Sequence, residues 1–375
     1  MILFFLLVIP GLLGLAGLFF SKGRVTWKEW LIHEGVMTLV ICMGYYLALC
    51  NRTQDVEIWN GTVAEKHQYK HTCCHTYSCD CHEVCSGSGK DRSCHTECDT
   101  CYEHGPRKYG WNGDRGYSAT STNDELIYDN DCNAPNDRAP QRWVDINIGE
   151  PTAIEHNYTN YIKGNPDSIL RRQGAAERFK GRLPDYPRVY DHYMASRFLL
   201  IGIPVQPEHV GLDWQLAKIN GNLGARKQVN IIVVVVKEGD LSYLEALRET
   251  WLGGKKNDFV VVIGAPNYPS IDWVGVLSWT KNEELKVEVR DEILALKQFQ
   301  GDRILQIIEQ RIEQKFVRRP MSDFDYLKAT IEPTKFATWF LFILGLVLAL
   351  GMQVFFWFHD PFGDRPESHT WKRRY

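Results

Sequence analysis

Three apolar runs, each long enough to cross a bilayer, set the terms on which the rest of this chain can fold. Met1 to Phe20 carries no charged residue. At ~1.5 Å per residue it covers about 30 Å, the thickness of the hydrocarbon layer. A second run extends from about Trp30 to Cys50, with His33 and Glu34 near one end, within reach of headgroups. The third, Phe336 to Phe358, holds Gln353 as its one strongly polar residue, and Trp339, Phe355, Phe356, Trp357 and Phe358 gather at its ends like an interfacial aromatic belt. We therefore expect transmembrane helices over 1–20, 30–50 and 336–358. A cleaved signal peptide fits the first run poorly, because no basic residue precedes its apolar stretch and no small-x-small site follows it.

Charge orients these helices. Lys22, Arg24 and Lys28 fall in the link at 21–29, and Lys372, Arg373 and Arg374 fall in the tail at 359–375. The positive-inside rule puts both in the cytoplasm. The N-terminus and everything from 51 to 334 then face outward from a cell's inner (plasma) membrane. The formal net charge is −3, and no basic stripe with interleaved aromatics occurs away from the termini, so a nucleic-acid partner is not expected.

Outside the membrane, cysteines dominate residues 51–150. Cys73, Cys74, Cys79, Cys81, Cys85, Cys94, Cys98 and Cys101 are crowded together, and Cys132 follows. Such density marks a small loop-rich fold stapled where an apolar core is lacking. Cys81-His-Glu-Val-Cys85 and Cys94-His-Thr-Glu-Cys98 echo each other, as if one knuckle were used twice. Two chemistries compete for the sulfurs. Cys98-x-x-Cys101 with His71, His75, His82, His95 and His104 nearby would suit a tetrahedral zinc site. An extracytoplasmic position favours disulfides instead. Nine outer cysteines leave one over unless Cys50, at the end of the second helix, is the tenth; Cys42 should be unpaired in the bilayer. Ser86-Gly-Ser-Gly-Lys90 lacks the first glycine and the closing Ser/Thr of a phosphate-binding loop, and reads as a turn.

Residues 151–187 are rich in Pro, Asn, Gly and charge and read as a linker, with one short helix near 168–179. Residues 188–330 alternate strand and helix signals. Phe198 to Val205, Val229 to Val236, Phe259 to Ile263 and Ile271 to Leu277 have strand length, and the second is apolar on both faces, as a covered central strand requires. Helical spacing appears over 210–223, 241–252, 282–297 and 302–316, where Ile304, Ile307, Ile308 and Ile312 make one stripe.

Asn230-Ile-Ile-Val-Val-Val-Val236, Tyr243 to Trp251, Asp258-Phe-Val-Val-Val-Ile-Gly264 and Val274-Gly-Val276 resemble the TPM domain family over about residues 190–317. The resemblance implies an α/β sandwich tethered to a membrane outside the cytoplasm. Some members are described as acid phosphatases or cation binders, others as auxiliary subunits of membrane complexes. Here Asn267-Tyr-Pro-Ser270 replaces the family's glycine-rich loop, and Leu277-Ser-Trp279 stands where Gly-x-Gly-Leu-Glu is usual. More loosely, Trp59-Asn-Gly61, Cys85-Ser-Gly-Ser-Gly-Lys90 and Cys98-Asp-Thr-Cys-Tyr-Glu-His104 resemble membrane proteins of large tailed bacteriophages, which implies a viral origin and no particular activity.

The fold expected is thus an α+β membrane protein: three transmembrane helices, a small disulfide-rich β module and a TPM-like α/β sandwich. No nucleophile elbow, zinc-protease motif or dinucleotide fingerprint occurs, so no catalytic residue and no cofactor are assigned. Asp240, Asp258 and Asp272 flank strand ends, where a cation could sit, but a helix cap and solvated turns explain them as well. Asp191 and His192 read as a loop pair, and Asn51, Asn60 and Asn157 open glycosylation sequons. The role expected is a membrane-anchored scaffold for a membrane or envelope protein partner, with self-association as a further option. A TPM-type phosphohydrolase or divalent-cation domain is the alternative, and a metal-binding cysteine/histidine module the second.

Overall fold

The computed structural model describes residues 2–70, 74–86, 93–104, 115–130, 139–165, 174–190, 194–359 and 361–362. Cys73, Cys132, Asp191, His192, the turn at 87–90 and the basic tail at 372–374 lie outside them. The chain divides into two compact units, one from 1–55, 158–171 and 321–375, the other from 56–157 and 172–320.

The first unit contains α1 (Ile2–Phe20), α2 (Trp27–Thr53) and α9 (Lys335–Phe358). All three are long and apolar enough to cross a membrane. Leu6, Met37, Ile41, Leu341 and Ala349 form the seam between them, while Phe4, Leu39, Ile343 and Val347 point outward. Outward apolar side chains on every helix are what a lipid solvent permits and water does not. α2 begins three residues before the expected Trp30, because Glu29 turns back to accept from the Thr26 amide at 2.7 Å and its hydroxyl at 3.1 Å. That earlier start carries His33 into the bundle, where it is fully buried and does not reach toward headgroups. Gly14 on α1 makes room: a Cβ there would lie 2.6 Å from His33 Nδ1. The Gln353 amide is likewise buried, against Gly17. Arg24 stacks 4.8 Å from the centre of the Trp357 ring, so the α1–α2 link and the C-terminal end of α9 share one end of the bundle. A short α4 (Tyr161–Gly164) is capped by Asn160, whose amide nitrogen also donates to Asp55 Oδ2 at 2.7 Å.

In the second unit, β1 (Gln54–Lys70), β4 (Arg115–Ser121), β5 (Leu126–Asn130) and β6 (Pro151–Thr159) form a sheet of order β5-β4-β1-β6. Val63, Ala119, Ile127 and Ile146 make its core, and α3 (Gln141–Asp145) is fixed by Trp143 donating to Ser118 O at 2.9 Å. β6 occupies the start of the segment expected to be a linker. Its Thr152 and Ala153 are buried, so the span beginning at Pro151 is structural there. Of the short helix expected near 168–179, the described part is a single 3-10 turn, Ala176–Phe179.

β2 (Cys74–Ser86) and β3 (Ser93–His104) form a separate antiparallel ribbon, an excursion from the β1–β4 hairpin beyond the Lys70–Arg115 pair. Disulfides Cys79–Cys101, Cys81–Cys98 and Cys85–Cys94 cross it like rungs. Its described side chains are exposed or half-buried, and isolated two-stranded ribbons are marginal in water. Closing a loop of this length contributes about 3 kcal/mol in the chain-entropy picture. Among the described residues these three disulfides lie in the ribbon, while the sheet beside it has apolar residues of its own to bury. Cys50 does not supply a tenth partner; it is a free thiol in the last turns of α2, and Cys42 is free as expected.

The remaining sheet has order β10-β9-β8-β7, from β7 (Phe198–Ile201), β8 (Asn230–Val236), β9 (Asp258–Gly264) and β10 (Trp273–Ser278). β7, β8 and β9 run parallel and β10 antiparallel. α5 (Leu212–Lys227), α7 (Glu283–Ala295) and α8 (Gly301–Lys315) cover the face that carries Ile231, Val233, Val261 and Ile263. α6 (Tyr243–Thr250) and Phe179 cover the alternate residues Ile232, Val234, Val260 and Val262. Both faces being covered explains why every residue of β8 and β9 is apolar or internally hydrogen-bonded.

Candidate functional site

The three aspartates do not form one site. β8 and β9 pair from Asn230–Asp258 to Val236–Gly264, and Trp273 pairs with Gly264. Asp258 therefore stands six residues, about 20 Å, from the sheet end that carries Asp240 and Asp272. Asp240 Oδ1 accepts from the Ser242 amide at 2.8 Å, and Oδ2 meets Arg178 at 2.6 Å. Those contacts, the Ser242 bonds foremost, hold its carboxyl below the usual range. It braces the turn that leads into α6 and has a cationic partner. Asp272 is an exposed turn residue whose amide donates to Gly264 O at 2.9 Å.

Asp258 belongs instead to a buried polar junction where the first sheet docks on the second. Asn60 of β1 reaches across it, donating to Val229 O at 3.0 Å and Asn230 Oδ1 at 3.1 Å, while its own oxygen accepts from Arg197 Nη1. Asn230 then donates to Asp258 Oδ1 at 2.9 Å, and Tyr186 donates to the same oxygen at 2.8 Å. The two amides thus stand between a buried guanidinium and a buried carboxylate, each with its oxygen toward the cation. Asn257 closes the seam by donating to Ile58 O at 2.7 Å. Asn60, a sequon asparagine, is only 2 % exposed, so its amide is not available for glycosylation.

Burial dominates the electrostatics here. It lowers the Arg197 pKa to about 10, with Asp213 opposing, and it raises the Asp258 pKa to about 6 against the bonds from Asn230 and Tyr186. For an acid whose folded pKa is raised, the stabilisation is complete below the unfolded value near 3.8 and is lost as pH rises through about 6. Asp258 should therefore remove about 3 kcal/mol of stability between pH 4 and 7. Melting curves of wild type and Asp258→Asn across that range should diverge only within it; parallel curves would place the ionised Asp258 at no disadvantage.

A second cluster centres on Glu57, which is fully buried. Its Oε1 accepts from Arg318 at 2.6 Å and Trp59 Nε1 at 2.9 Å, with Lys256 Nζ at 3.3 Å and His156 Nδ1 at 3.6 Å. The Trp59 and His156 rings stack with centroids 3.7 Å apart. Burial pushes the Lys256 amine down, Glu57 pulls it back, and Arg318 pushes it further down. Glu57, His156 and Arg318 lie next to Val56, Asn157 and Pro320, where the segments of this unit begin or end. One carboxylate thereby ties Arg318 to the neighbouring strands β1 and β6. The sequence marks Asn60 as a sequon asparagine, Asn230 as the start of an apolar strand and Asp258 as a cation candidate, and it offers no signal for Glu57; both Glu57 and its neighbour Ile58 are buried, so alternation along β1 does not separate a wet face there.

Two groups bring metal-ligand atom types together on the ribbon, Cys79 with Asp80 and Cys101, and Glu83 with Cys85 and Cys94. Their sulfurs are joined as disulfides and offer no thiolate, which a zinc site of the expected kind requires. Comparison with protein-family models, with curated proteins and with solved structures gives no match for this chain.

Proposed function

We propose that this chain is a membrane-anchored scaffold whose large unit stands outside the cytoplasm and presents the disulfide-laddered ribbon to a protein partner in a membrane or envelope complex. The observation that carries the reading is the bundle of α1, α2 and α9, apolar on its outer surface, from which the chain departs after α2 and to which it returns before α9. The grouping of the Arg24 link with the C-terminal end of α9 supports the orientation, since both basic clusters then belong to one side. A sheet with three parallel strands, one antiparallel strand and helices on both faces supports the TPM-like reading of the outer domain.

The phosphohydrolase alternative has less support. Its three carboxylates are divided between opposite sheet ends, and two of them are engaged by Arg178, Asn230, Tyr186 and main-chain amides. Washing membranes with alkaline carbonate tests the anchoring directly. The chain should remain in the pellet and leave it only with detergent; release by carbonate alone would exclude spanning helices.

A further inference from the structure

A pocket of about 210 Å³ opens where the first sheet meets α5, walled by Trp59, Asn60, Thr122, Asn123, Asp124 and Gln228. It is smaller than the roughly 300–1,000 Å³ typical of drug-sized ligands. At about 30 Å³ per water it holds the volume of about seven waters, enough for one sugar-sized ring. Trp59, Gln228, Asn123 and Thr122 are each held by a hydrogen bond to a neighbouring residue. Trp59 is fixed by Glu57 and by its stack on His156. Gln228 Oε1 accepts from Arg318, which leaves its NH2 to donate. Asn123 Nδ2 donates to Asn60 O at 2.7 Å, which leaves Oδ1 to accept. Thr122 Oγ1 accepts from the Thr62 amide at 3.0 Å and keeps its proton for a ligand. Gly61 allows this arrangement, since a Cβ there would lie 2.8 Å from that hydroxyl oxygen.

The walls thus offer prearranged donors and acceptors beside an aromatic ring, with Asp124 as the one ionisable side chain among them. A carboxylate repels anions, and the two oxygens of Asp124 with those of Asn123 and Thr122 fall short of the roughly six to eight a calcium ion takes. Vicinal hydroxyls, each able to donate and accept, match the set, and an indole suits the C–H surface of a sugar ring. We propose that this pocket binds a single neutral sugar ring, hydroxyls to Asp124, Asn123, Thr122 and Gln228 and ring carbons against Trp59. The assignment goes beyond the anchoring role and holds whichever side of the membrane the domain occupies.

The test uses the full-length protein in a phosphocholine detergent, because a maltoside headgroup could itself occupy the pocket. Glucose, galactose, mannose and N-acetylglucosamine are titrated separately, with tryptophan fluorescence and saturation-transfer NMR as readouts. At least one should bind with Kd on the order of 1 mM, the range open to so small a ligand. Asp124→Gly keeps the left-handed backbone that Asp124 adopts (φ 60°) while removing the carboxylate. It should melt like wild type and bind that sugar at least about tenfold more weakly, as loss of a charge-assisted hydrogen bond implies. The proposal is overturned if none of the four sugars binds, if Asp124→Gly melts like wild type and binds equally well, or if calcium or inorganic phosphate binds where no sugar does.

Discussion

Replacing Glu57 with Leu is expected to destabilise the second unit by roughly 3–5 kcal/mol, the usual effect of removing one partner from a buried ion pair. Leu fills most of the space, so the loss does not come from a cavity. It comes from Arg318 and Lys256, which face the same oxygen at 2.6 and 3.3 Å and would be left facing each other. Trp59 would also lose its acceptor, and Arg318 its tie to β1. Glu57→Gln retains an acceptor without the charge and should fall between the two. Denaturant titration of the full-length protein, followed by tryptophan fluorescence, measures the effect. A Leu variant as stable as wild type would show that the clamp contributes nothing net.

Gly224→Ala is a test in which two physical effects have opposite signs. In an unencumbered helix the change stabilises by up to about 1 kcal/mol, because glycine loses more backbone entropy on folding. In α5, however, the added Cβ would lie 2.5 Å from Asn60 Cβ and closer still to the Asn60 carbonyl oxygen. Both belong to the strand itself, so no flexible side chain can swing away. One turn back, a Cβ on Gly221 would lie 2.8 Å from Gly61 O, so β1 rests on both glycines. We expect a net loss of about 3 kcal/mol, in the range of overpacking. An increase in melting temperature would mean that β1 does not dock on α5 this closely.

These two sites show where sequence reading stops. β8 and β9 were legible because strands covered on both faces need unbroken apolar runs, and Val229 to Val236 is such a run. α5, α7 and α8 fall within a few residues of the spans expected from their stripes. β6 was hidden because Pro151, Asn157 and Asn160 look like loop residues, and its strand character comes from pairing with β1, some ninety residues earlier. The disulfide pairing follows from the register of β2 against β3, which sets Cys85 opposite Cys94 and nests the other pairs outward; spacing alone left it open. The bulge at Asp80, which holds positive φ, lets Cys79 and Cys81 both reach across. Asn60 was present as a sequon asparagine, Asn230 at the head of an apolar strand and Asp258 as a weak cation candidate. Their joint burial depends on two sheets meeting, which local pattern does not encode.

The two halves of the structure serve the proposed role differently. The three helices, long and apolar enough to cross a membrane, bury little of their apolar surface against one another. The second unit is braced near the ends of its segments by Glu57 and at its sheet junction by Arg197, Asn60 and Asn230.

The most direct test of this account is the sidedness of the two ends of the topology. A biotin-acceptor peptide is inserted at Gly181, an exposed turn of the large unit, or appended after Tyr375, in cells whose biotin ligase is cytoplasmic. The account predicts biotin on the C-terminal peptide and none on the Gly181 peptide while membranes are intact, with both labelled once detergent admits the ligase. Biotin on the Gly181 peptide in intact cells, or the same result at both positions, would contradict it.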